Sequence, residues 1–507
     1  MITRKIRKIK AAFLVMLSLN AMSSPKVAAA ATVHVVGWPA PNLSGDTPAI
    51  ELGDDPVYGR QMCPPLTRLN LDERKSEELL LKSVRHETAG GQTVWTMDLR
   101  TGLYWWRGEP VTSEDLAKFL RAELGPVVSI RSGQIWDTGE FEVNATGPQT
   151  VKIQFKNKPA FGPYVLNGVP FFRPSQPGTE AYKYECVGLY RPQSASWGVA
   201  LAPTPGYKLQ RAMPELALYA TGQAPATKPT QALYVRFAGA VSSSPAVRPP
   251  DASYSCSHTL ELPNLLMLVW DKRSPLGSQA EFRRAIGQLM PRSALASSGA
   301  AALAESANSP IPKNHPGYDA KLPPQVFDLK AASAALNRLG LKRVTSTSPR
   351  LDERGEPIKL TFLTQSNQAG LAEKVILDSL SAVGIAVEVK TQIAAGEKVD
   401  GMLANFAVDW PRVSYLPYFH SGAKLEWPVQ PVTDKNLDHD LEKYAISITY
   451  QKPDWSLLSA VQRDFADLEG VTVLLQQKAC IDNPANFKLA KGSISQRNPD
   501  WFRQLLF

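Results

Sequence analysis

A strand–helix–strand unit in the second half of the chain constrains the fold more than any other feature. Residues 358–363 and 385–389 have patterns typical of strands, and residues 371–383 between them have helical spacing. Gly384 directly follows this helix, at a position where glycine commonly ends one. Strands separated by a helix of this length are typical of α/β proteins, so the unit predicts an α/β fold.

The first half of the chain is richer in strand patterns. Residues 94–99 alternate apolar and polar side chains, residues 103–106 predict a second strand, and residues 140–146 and 150–155 predict a hairpin around Gly147-Pro148. These patterns predict a β-rich region with occasional helices.

Two local details of that region give sharper expectations. Thr112 precedes a helical pattern, and Asp115 lies three residues later, which predicts a capping box. Strand alternation sends the rings of Trp105 and Trp106 to opposite faces. We therefore expect one ring in the core and the other at a surface.

The N-terminus has the pattern of a secretory signal. Residues 4–10 hold five basic and no acidic side chains, residues 11–22 are mostly apolar, and residues 28–31 are all alanine. A membrane helix needs about 20 apolar residues, which makes an uncleaved anchor the less favoured alternative. The first cysteine is Cys63, so no lipid anchor on a new N-terminal cysteine is available. We predict a signal peptide at 1–31 and a periplasmic protein secreted through it.

Removing this signal changes the charge of the chain. Residues 1–31 contain six basic and no acidic residues, so the net charge falls from +9 to +3. The mature chain therefore lacks the strong basic excess of a nucleic-acid-binding protein, and no nucleic-acid partner is expected. Its remaining length predicts two or three domains.

The four cysteines are widely spaced and contain no C-x-x-C pair, which argues against a zinc ribbon or a redox motif. In an oxidising compartment they allow one or two disulfides, and buried free thiols are nearly as well supported. Of the possible pairs, Cys186 with Cys256 is the one preferred here, with Cys63 and Cys480 left open.

Sequence motifs for catalysis are absent. The chain has no G-x-S-x-G, no phosphate loop and no G-x-G-x-x-G, and its six histidines never fall at metal-ligand spacing. The expectation is a binding protein and not an enzyme, with no catalytic residue, no metal and no cofactor.

Three stretches together resemble the extracellular solute-binding proteins of family 5, the oligopeptide-, dipeptide- and nickel-binding receptors of ABC importers. Residues 94–120 match an alternating strand, Leu-Arg, a Gly turn, an aromatic strand, Gly-x-Pro and a capped helix. Residues 268–292 match a strand, a Pro and a helix with Arg-x-Ala-Ile, although Asp271 replaces the usual Asn and Pro291 the usual Asp. Residues 400–421 match the family's aromatic-x-x-Asp segment and its Phe-His-Ser end.

The resemblance implies an α/β, two-lobed periplasmic-binding-protein fold with hinge strands and an extra β-rich subdomain in the first lobe. It places lobe I at 32–265, with the subdomain at about 50–165. Lobe II would span 266–475, and the chain would return to lobe I at 476–507.

The resemblance also implies a ligand between the lobes. Asp409 matches the aspartate that pairs with the α-ammonium of a peptide, and Phe406 matches an aromatic that lines the pocket. Trp410 and Trp38 are further candidates for the cleft wall, and Arg412 for a ligand carboxylate. Core packing is the alternative for the aromatic residues, and a solvated loop carboxylate is the alternative for Asp409.

The expected function is the periplasmic substrate-binding component of an ABC importer, which captures a small ligand, preferably a peptide. Its expected partners are that ligand and an ABC permease in the inner membrane, and the protein is expected to be a monomer. The alternative is a ligand-responsive sensor or interaction protein on the same scaffold, without a transport role.

Overall fold

The computed structural model describes most of the chain between residues 32 and 482. The described residues are 32–36, 43, 45–46, 48, 58–70, 73–125, 139–175, 182–195, 198–207, 214–219, 232–237, 258–297, 304–364, 370–394, 397–407, 416–422 and 428–482. The predicted signal peptide at 1–31 and Cys256 lie outside these ranges.

The helices of the described residues are α1 (Gly59–Met62), α2 (Ser113–Glu123), α3 (Ala280–Gln288), α4 (Arg292–Ser297), α5 (Leu329–Arg338), α6 (Gly370–Ala382), α7 (Lys435–Ser447) and α8 (Ser456–Leu468), with a 3-10 turn at Leu416–Phe419. Within these ranges, no helix is both long and apolar enough to span a bilayer.

Two groups of strands complete the fold. Up to residue 237 the strands are β1 (Val33–Val36), β2 (Thr67–Asn70), β3 (Lys75–Glu78), β4 (Leu81–Ala89), β5 (Gln92–Leu99), β6 (Phe141–Ala145), β7 (Thr150–Phe155), β8 (Phe172–Pro174), β9 (Tyr184–Cys186), β10 (Tyr190–Ala195), β11 (Gly198–Pro203), β12 (Leu216–Tyr219) and β13 (Ala232–Phe237). From residue 258 they are β14 (His258–Trp270), β15 (Ala304–Ser306), β16 (Lys342–Arg343), β17 (Arg350–Leu351), β18 (Lys359–Thr364), β19 (Ala386–Lys390), β20 (Gly401–Ala407) and β21 (Val471–Asp482).

One mixed sheet runs through the molecule in the order β10-β11-β12-β1-β13-β21-β14-β20-β18-β19, with β15 paired to β21. β1 is parallel to both of its neighbours, β12 and β13. β18 is likewise parallel to β19 and β20, and α6 connects β18 to β19. The fold is therefore mixed α/β, and the strand–helix–strand prediction is confirmed.

The two longest strands of the sheet, β14 and β21, join its two ends, and we call them the crossing strands. The last residues of β21 pair with β13, whereas its first residues pair with the second half of β14. That half of β14 also pairs with β20. The pairing between the crossing strands is irregular between Glu261 and Leu265, where the register shifts.

Separate hydrophobic cores lie on either side of this crossing. Val33, Tyr184 and Leu218 pack in one cluster with Ala479 and Ile481 from the end of β21. The clusters built around the other half of the crossing strands contain residues from 265 to 475 only. We call residues 32–237 the first part and residues 258–475 the second part. The last residues of β21 pack with the first part.

The first part contains a further β-rich unit with its own core. It is a four-stranded antiparallel sheet, β4-β5-β7-β6, covered by α2. The predicted hairpin is confirmed, because β6 and β7 pair antiparallel from Phe141–Phe155 to Ala145–Val151. The predicted capping box is confirmed as well: the Thr112 hydroxyl accepts from the Asp115 N–H, and the Asp115 carboxylate accepts from the Thr112 N–H at 2.9 Å.

The prediction for the two adjacent tryptophans was half right. Trp105 and Trp106 do enter different environments, but both are buried. Trp105 packs in the core of the β-rich unit, and Trp106 packs in the cluster that contains Val33. A second core occupies the face that was expected to meet solvent. Residues 103–106, expected to form a strand, make only isolated bridges at Tyr104 and Trp105.

The preferred disulfide was wrong. Cys63, the residue after α1, is bonded to Cys186 at the end of β9, and their Cα atoms are 5.0 Å apart. The two cysteines are 123 residues apart in sequence, so only the tertiary packing of α1 beside β10 brings them together. Cys480 is also disulfide-bonded, and no described cysteine is free.

Candidate functional site

The ends of the parallel strands define the place where a ligand site is expected. In open α/β sheets, ligands bind beyond the carboxyl ends of parallel strands. In the first part the central parallel strand, β1, ends at Val36, and in the second part β20 ends at Ala407. The predicted site residues Trp38 and Asp409 each follow one of these ends by two positions in the sequence.

Four of the five predicted ligand residues cannot be placed. Trp38, Asp409, Trp410 and Arg412 lie outside the described residues, and their roles remain predictions. The structure therefore does not test whether they come together.

Phe406 is the predicted ligand residue that the structure does describe. It pairs in register with Leu265 of the crossing strand β14, and its side chain is 9% exposed. Its ring centroid lies 6.1 Å from that of Phe419, in the core cluster of the second part. Core packing is thus the observed environment of Phe406, and a role in lining a pocket stays a prediction.

A histidine–tyrosine pair joins the neighbouring parallel strands β1 and β12, with His34 as the second residue of β1 and Tyr219 as the last residue of β12. His34 Nδ1 is 3.0 Å from the Tyr219 hydroxyl oxygen, and the two rings are stacked with centroids 5.7 Å apart. Burial lowers the pKa of His34 and raises the pKa of Tyr219, so both groups are neutral near pH 7. A neutral imidazole and a phenol both donate and accept hydrogen bonds, which suits a polar ligand.

Sequence reasoning missed this pair. His34 lies in an apolar strand pattern, and its partner is 185 residues away. Only the parallel pairing of β1 with β12 brings Tyr219 beside His34, and no local sequence pattern predicts that pairing.

Polar side chains also brace the crossing strand β21 where it passes between the two parts. Lys478 forms an ion pair with Glu305 of β15 at 2.9 Å. The buried Gln476 side chain accepts from the Lys313 N–H at 3.3 Å and donates to the Asn314 side chain at 3.3 Å. These contacts hold β15 and residues 313–314 against the strand.

A cleft of about 790 Å³ lies in the second part, between α3, residues 319–328 and α8. Its wall contains two ion pairs, Arg284 with Glu469 at 3.2 Å and Arg463 with Asp319 at 3.6 Å. Phe406, the predicted ligand residue that the structure describes, does not line it. Because four of the charges in its wall pair with one another, we do not assign the ligand to this cleft.

Among the residues that the structure describes, no group of three or more His, Cys, Asp or Glu side chains is arranged to hold a metal ion.

The chain matches a known family over part of its length. Residues 242–424 match the model described as bacterial extracellular solute-binding proteins, family 5 Middle. The stretches at 268–292 and 400–421 fall inside this match, whereas the stretch at 94–120 falls outside it. The resemblance expected from the sequence is thereby confirmed. No curated protein matches the chain.

Several solved structures share the fold over nearly the whole chain. NikA from Brucella suis, in complex with Fe(III)-EDTA, is 14% identical with a TM-score of 0.70, and the match covers 93% of this chain and 99% of that one. NikZ from Campylobacter jejuni, in complex with Ni(L-His), is 15% identical with a TM-score of 0.66 and coverages of 92% and 95%. The oligopeptide-binding protein AppA from Bacillus subtilis, in complex with a nonapeptide, is 13% identical with a TM-score of 0.65 and coverages of 94% and 98%. At these identities the likeness concerns the fold.

Proposed function

We propose that this chain, whose residues 242–424 match family 5 of the bacterial extracellular solute-binding proteins, is the substrate-binding component of an ABC importer. The observation that carries the proposal is the pair of crossing strands, which join two parts with separate hydrophobic cores. Two bodies joined by a narrow strand connection can rotate about it, and a ligand between them stabilises the closed arrangement.

The proposed lobes follow this division. Lobe I comprises residues 32–265 and 476–507, and lobe II comprises residues 266–475. The clustering of residues 265–475 around the first half of β21, and of Ala479 and Ile481 with the first part, supports this boundary. The β-rich subdomain at about 50–165 is supported by a core cluster that begins at Leu66 and also includes Val187.

The proposed ligand is a peptide held between the lobes. Asp409 would accept hydrogen bonds from the peptide's α-ammonium group, a charge-assisted contact that gains strength when closure excludes water. Phe406, Trp410 and Trp38 would line the cleft, and Arg412 would meet the peptide carboxylate. A structural relative crystallised with a nonapeptide supports this choice, while others were crystallised with Fe(III)-EDTA or Ni(L-His).

The proposed place of action is the periplasm, reached through cleavage of residues 1–31, with an ABC permease in the inner membrane as partner. The basic, apolar and small-residue segments of the N-terminus support export. Sequencing the N-terminus of the exported protein tests this, and a mature chain that still begins at Met1 would contradict it.

The ligand proposal is tested by mass spectrometry of what co-purifies with the exported protein. We expect a set of peptides with the wild type and their loss in Asp409→Asn, which removes the charge at nearly constant size. Asp378→Asn is the matched control, since Asp378 is an exposed aspartate paired only with Lys374 on α6. Equal peptide content in Asp409→Asn and the wild type would show that Asp409 does not hold the ammonium group.

A further inference from the structure

The turn between α7 and α8 reaches across to the β-rich unit of the first part. The Gly162 N–H donates to the Thr449 hydroxyl at 2.6 Å, and the Tyr164 N–H donates to the Thr449 carbonyl at 2.9 Å. The Ser76 N–H donates to the Gln451 carbonyl at 2.6 Å. Backbone groups of two distant regions are therefore bonded directly to each other.

Side chains extend the same contact. The Asn167 amide donates to the Ser76 hydroxyl oxygen at 2.8 Å and to the Ile448 carbonyl at 3.4 Å. The Ser76 hydroxyl in turn donates to the Tyr450 carbonyl at 3.3 Å. Ser76 and Thr449 are 1% exposed and Asn167 is 3% exposed, so water is excluded from the centre of the contact.

The contact is polar, although each of its sides is anchored in an apolar core. Phe161 and Val165 belong to the core of the β-rich unit, and Ile448 belongs to a core of the second part. Among the apolar clusters of described residues, the one that spans the junction is a single pair, in which Trp455 packs on Leu69. Separating such a surface exchanges hydrogen bonds for water and exposes little apolar area, so it costs far less than opening a core.

We propose that this contact is a reversible latch, which holds the two parts closed at a point away from the crossing strands. It deepens the proposed function, because a receptor that encloses its ligand between two parts needs a closed state that forms and opens readily. Two connections of different kinds then set the closed geometry: the covalent crossing strands, and the turn at residues 448–451 bonded to the β-rich unit. A ligand adds its own contacts to a closed state that the latch has already made accessible.

Gly162 offers a substitution that acts on the latch alone. A Cβ atom at Gly162 would lie 2.5 Å from the Thr449 carbonyl oxygen and 2.8 Å from Cδ1 of Tyr450, both on the opposite side of the contact. Its backbone is not in the left-handed region, so alanine is compatible with the local conformation. Gly162→Ala should therefore displace the turn and leave the β-rich unit folded.

The test compares wild type, Gly162→Ala and the control Gly147→Ala in the full exported chain, without added ligand. Gly147 lies in the same unit, and a Cβ there would meet only Thr150, at an ordinary 3.7 Å. Hydrogen exchange is followed at the amides of Ser76 and Tyr164, and X-ray scattering gives the radius of gyration. Thr449→Val, which removes the hydroxyl acceptor at similar volume, is a second and milder variant.

In Gly162→Ala we expect the amide hydrogens of Ser76 and Tyr164 to exchange at least about tenfold faster than in the wild type, and the radius of gyration to be larger. For Thr449→Val we expect exchange rates and a radius of gyration between those of Gly162→Ala and the wild type. The exchange rates of the β5 and β7 amides, and all values for Gly147→Ala, should stay at the wild-type level.

Wild-type amides at Ser76 and Tyr164 that exchange as fast as in the variant would overturn the latch. Faster exchange throughout β5 and β7 would also overturn it, because the contact would then be a fixed part of the core. Failure to find any ligand would contradict the proposed function, whereas the exchange results would still test the latch independently.

Discussion

The two parts of the molecule satisfy their buried and half-buried arginines in different ways. In the first part, Arg173 is paired with Glu185 and Glu109, and its guanidinium lies 4.6 Å from the ring centroid of Trp105. Burial opposes the charge of Arg173, but the hydrogen bonds that it donates to these two carboxylates raise its pKa. The first part thus neutralises a positive charge with negative ones.

In the second part, the fully buried arginines instead bind backbone carbonyls at the ends of helices. Arg283 donates to Leu468 and Glu469 where α8 ends, and Arg292 donates to Gly287 near the end of α3. Arg350 donates at 2.9 Å to the carbonyl of Val383, the residue after α6. Burial lowers the pKa of Arg292 to about 10, which leaves it charged at neutral pH.

This difference reflects which hydrogen-bond acceptors each part offers to a guanidinium removed from water. The last carbonyls of a helix have no intrahelical donor and carry a partial negative charge. A helix-rich part therefore presents many unpaired carbonyl oxygens, which suit a planar guanidinium with five N–H donors. In a β-rich part, most backbone carbonyls already accept hydrogen bonds from a neighbouring strand. We expect the first part to depend on its cross-link and its charge pairs, and the second part to depend on its arginines.

The largest expected effect concerns the cross-link of the first part. Replacing Cys63 and Cys186 together by Ala removes a bond that closes a loop of 123 residues, which should lower the free energy of unfolding by about 4 kcal/mol. Urea denaturation measures this loss. Peptide mapping of the wild type under non-reducing conditions is the check on the pairing itself, and a Cys186–Cys256 peptide would refute it.

The next largest effect concerns the arginines of the second part. Arg350→Met keeps much of the side-chain volume but leaves the carbonyls of Val383 and Leu341 without their donor, at a cost of about 3 kcal/mol. Arg354→Met is the control, because Arg354 is exposed four residues away and should change stability by less than about 0.5 kcal/mol. An equal loss of unfolding free energy in both variants would show that the second part does not depend on its buried arginines.

A smaller effect is expected at the start of α2, where the first part also relies on a side chain to satisfy a helix end. Thr112→Ala removes the acceptor for the Asp115 N–H and should cost about 1 kcal/mol. Thr101→Ala, an exposed threonine in the preceding turn, is the matched control. If the two variants melt together, the capping box contributes nothing measurable.

The smallest effect depends on pH and lies in the second part. Burial, followed by repulsion from Asp440, Asp434 and Asp467, raises the pKa of Asp464 to about 6. The folded state then binds a proton more tightly than the unfolded state, so this group's contribution to stability falls as the pH rises from about 4 to 6. Asp464→Asn should therefore stabilise the protein at pH 7 by about 0.5 kcal/mol, a value reduced for solvent screening. Thermal unfolding measures the gain, and a gain that persists unchanged at pH 4 would rule out this origin.

What the sequence predicts well is local. The capping box at Thr112 needs only residues three positions apart, and the helix ended by Gly384 lies within one α/β unit, where Gly384 takes a φ of 84°. Both were found as expected.

What it predicts poorly depends on distant packing. Cys186 pairs with Cys63 because α1 lies beside β10, and nothing near either cysteine encodes that contact. Trp105 and Trp106 enter different environments as expected, but burial of both rings requires two cores to meet at this segment. The His34–Tyr219 pair and the latch at Thr449 are likewise products of tertiary pairing.

The central claim, that the chain captures a ligand between its two parts, is tested most directly by thermal unfolding of the ligand-stripped protein. The probes are a defined mixture of short peptides, Fe(III)-EDTA and Ni(L-His), each added in separate experiments. The account predicts that the peptide mixture stabilises the wild type, by about 2.7 kcal/mol for a component at 100 times its Kd, and that Asp409→Asn loses this stabilisation. Stabilisation by a metal chelate alone would contradict the peptide assignment, and no stabilisation by any of the three would contradict the receptor itself.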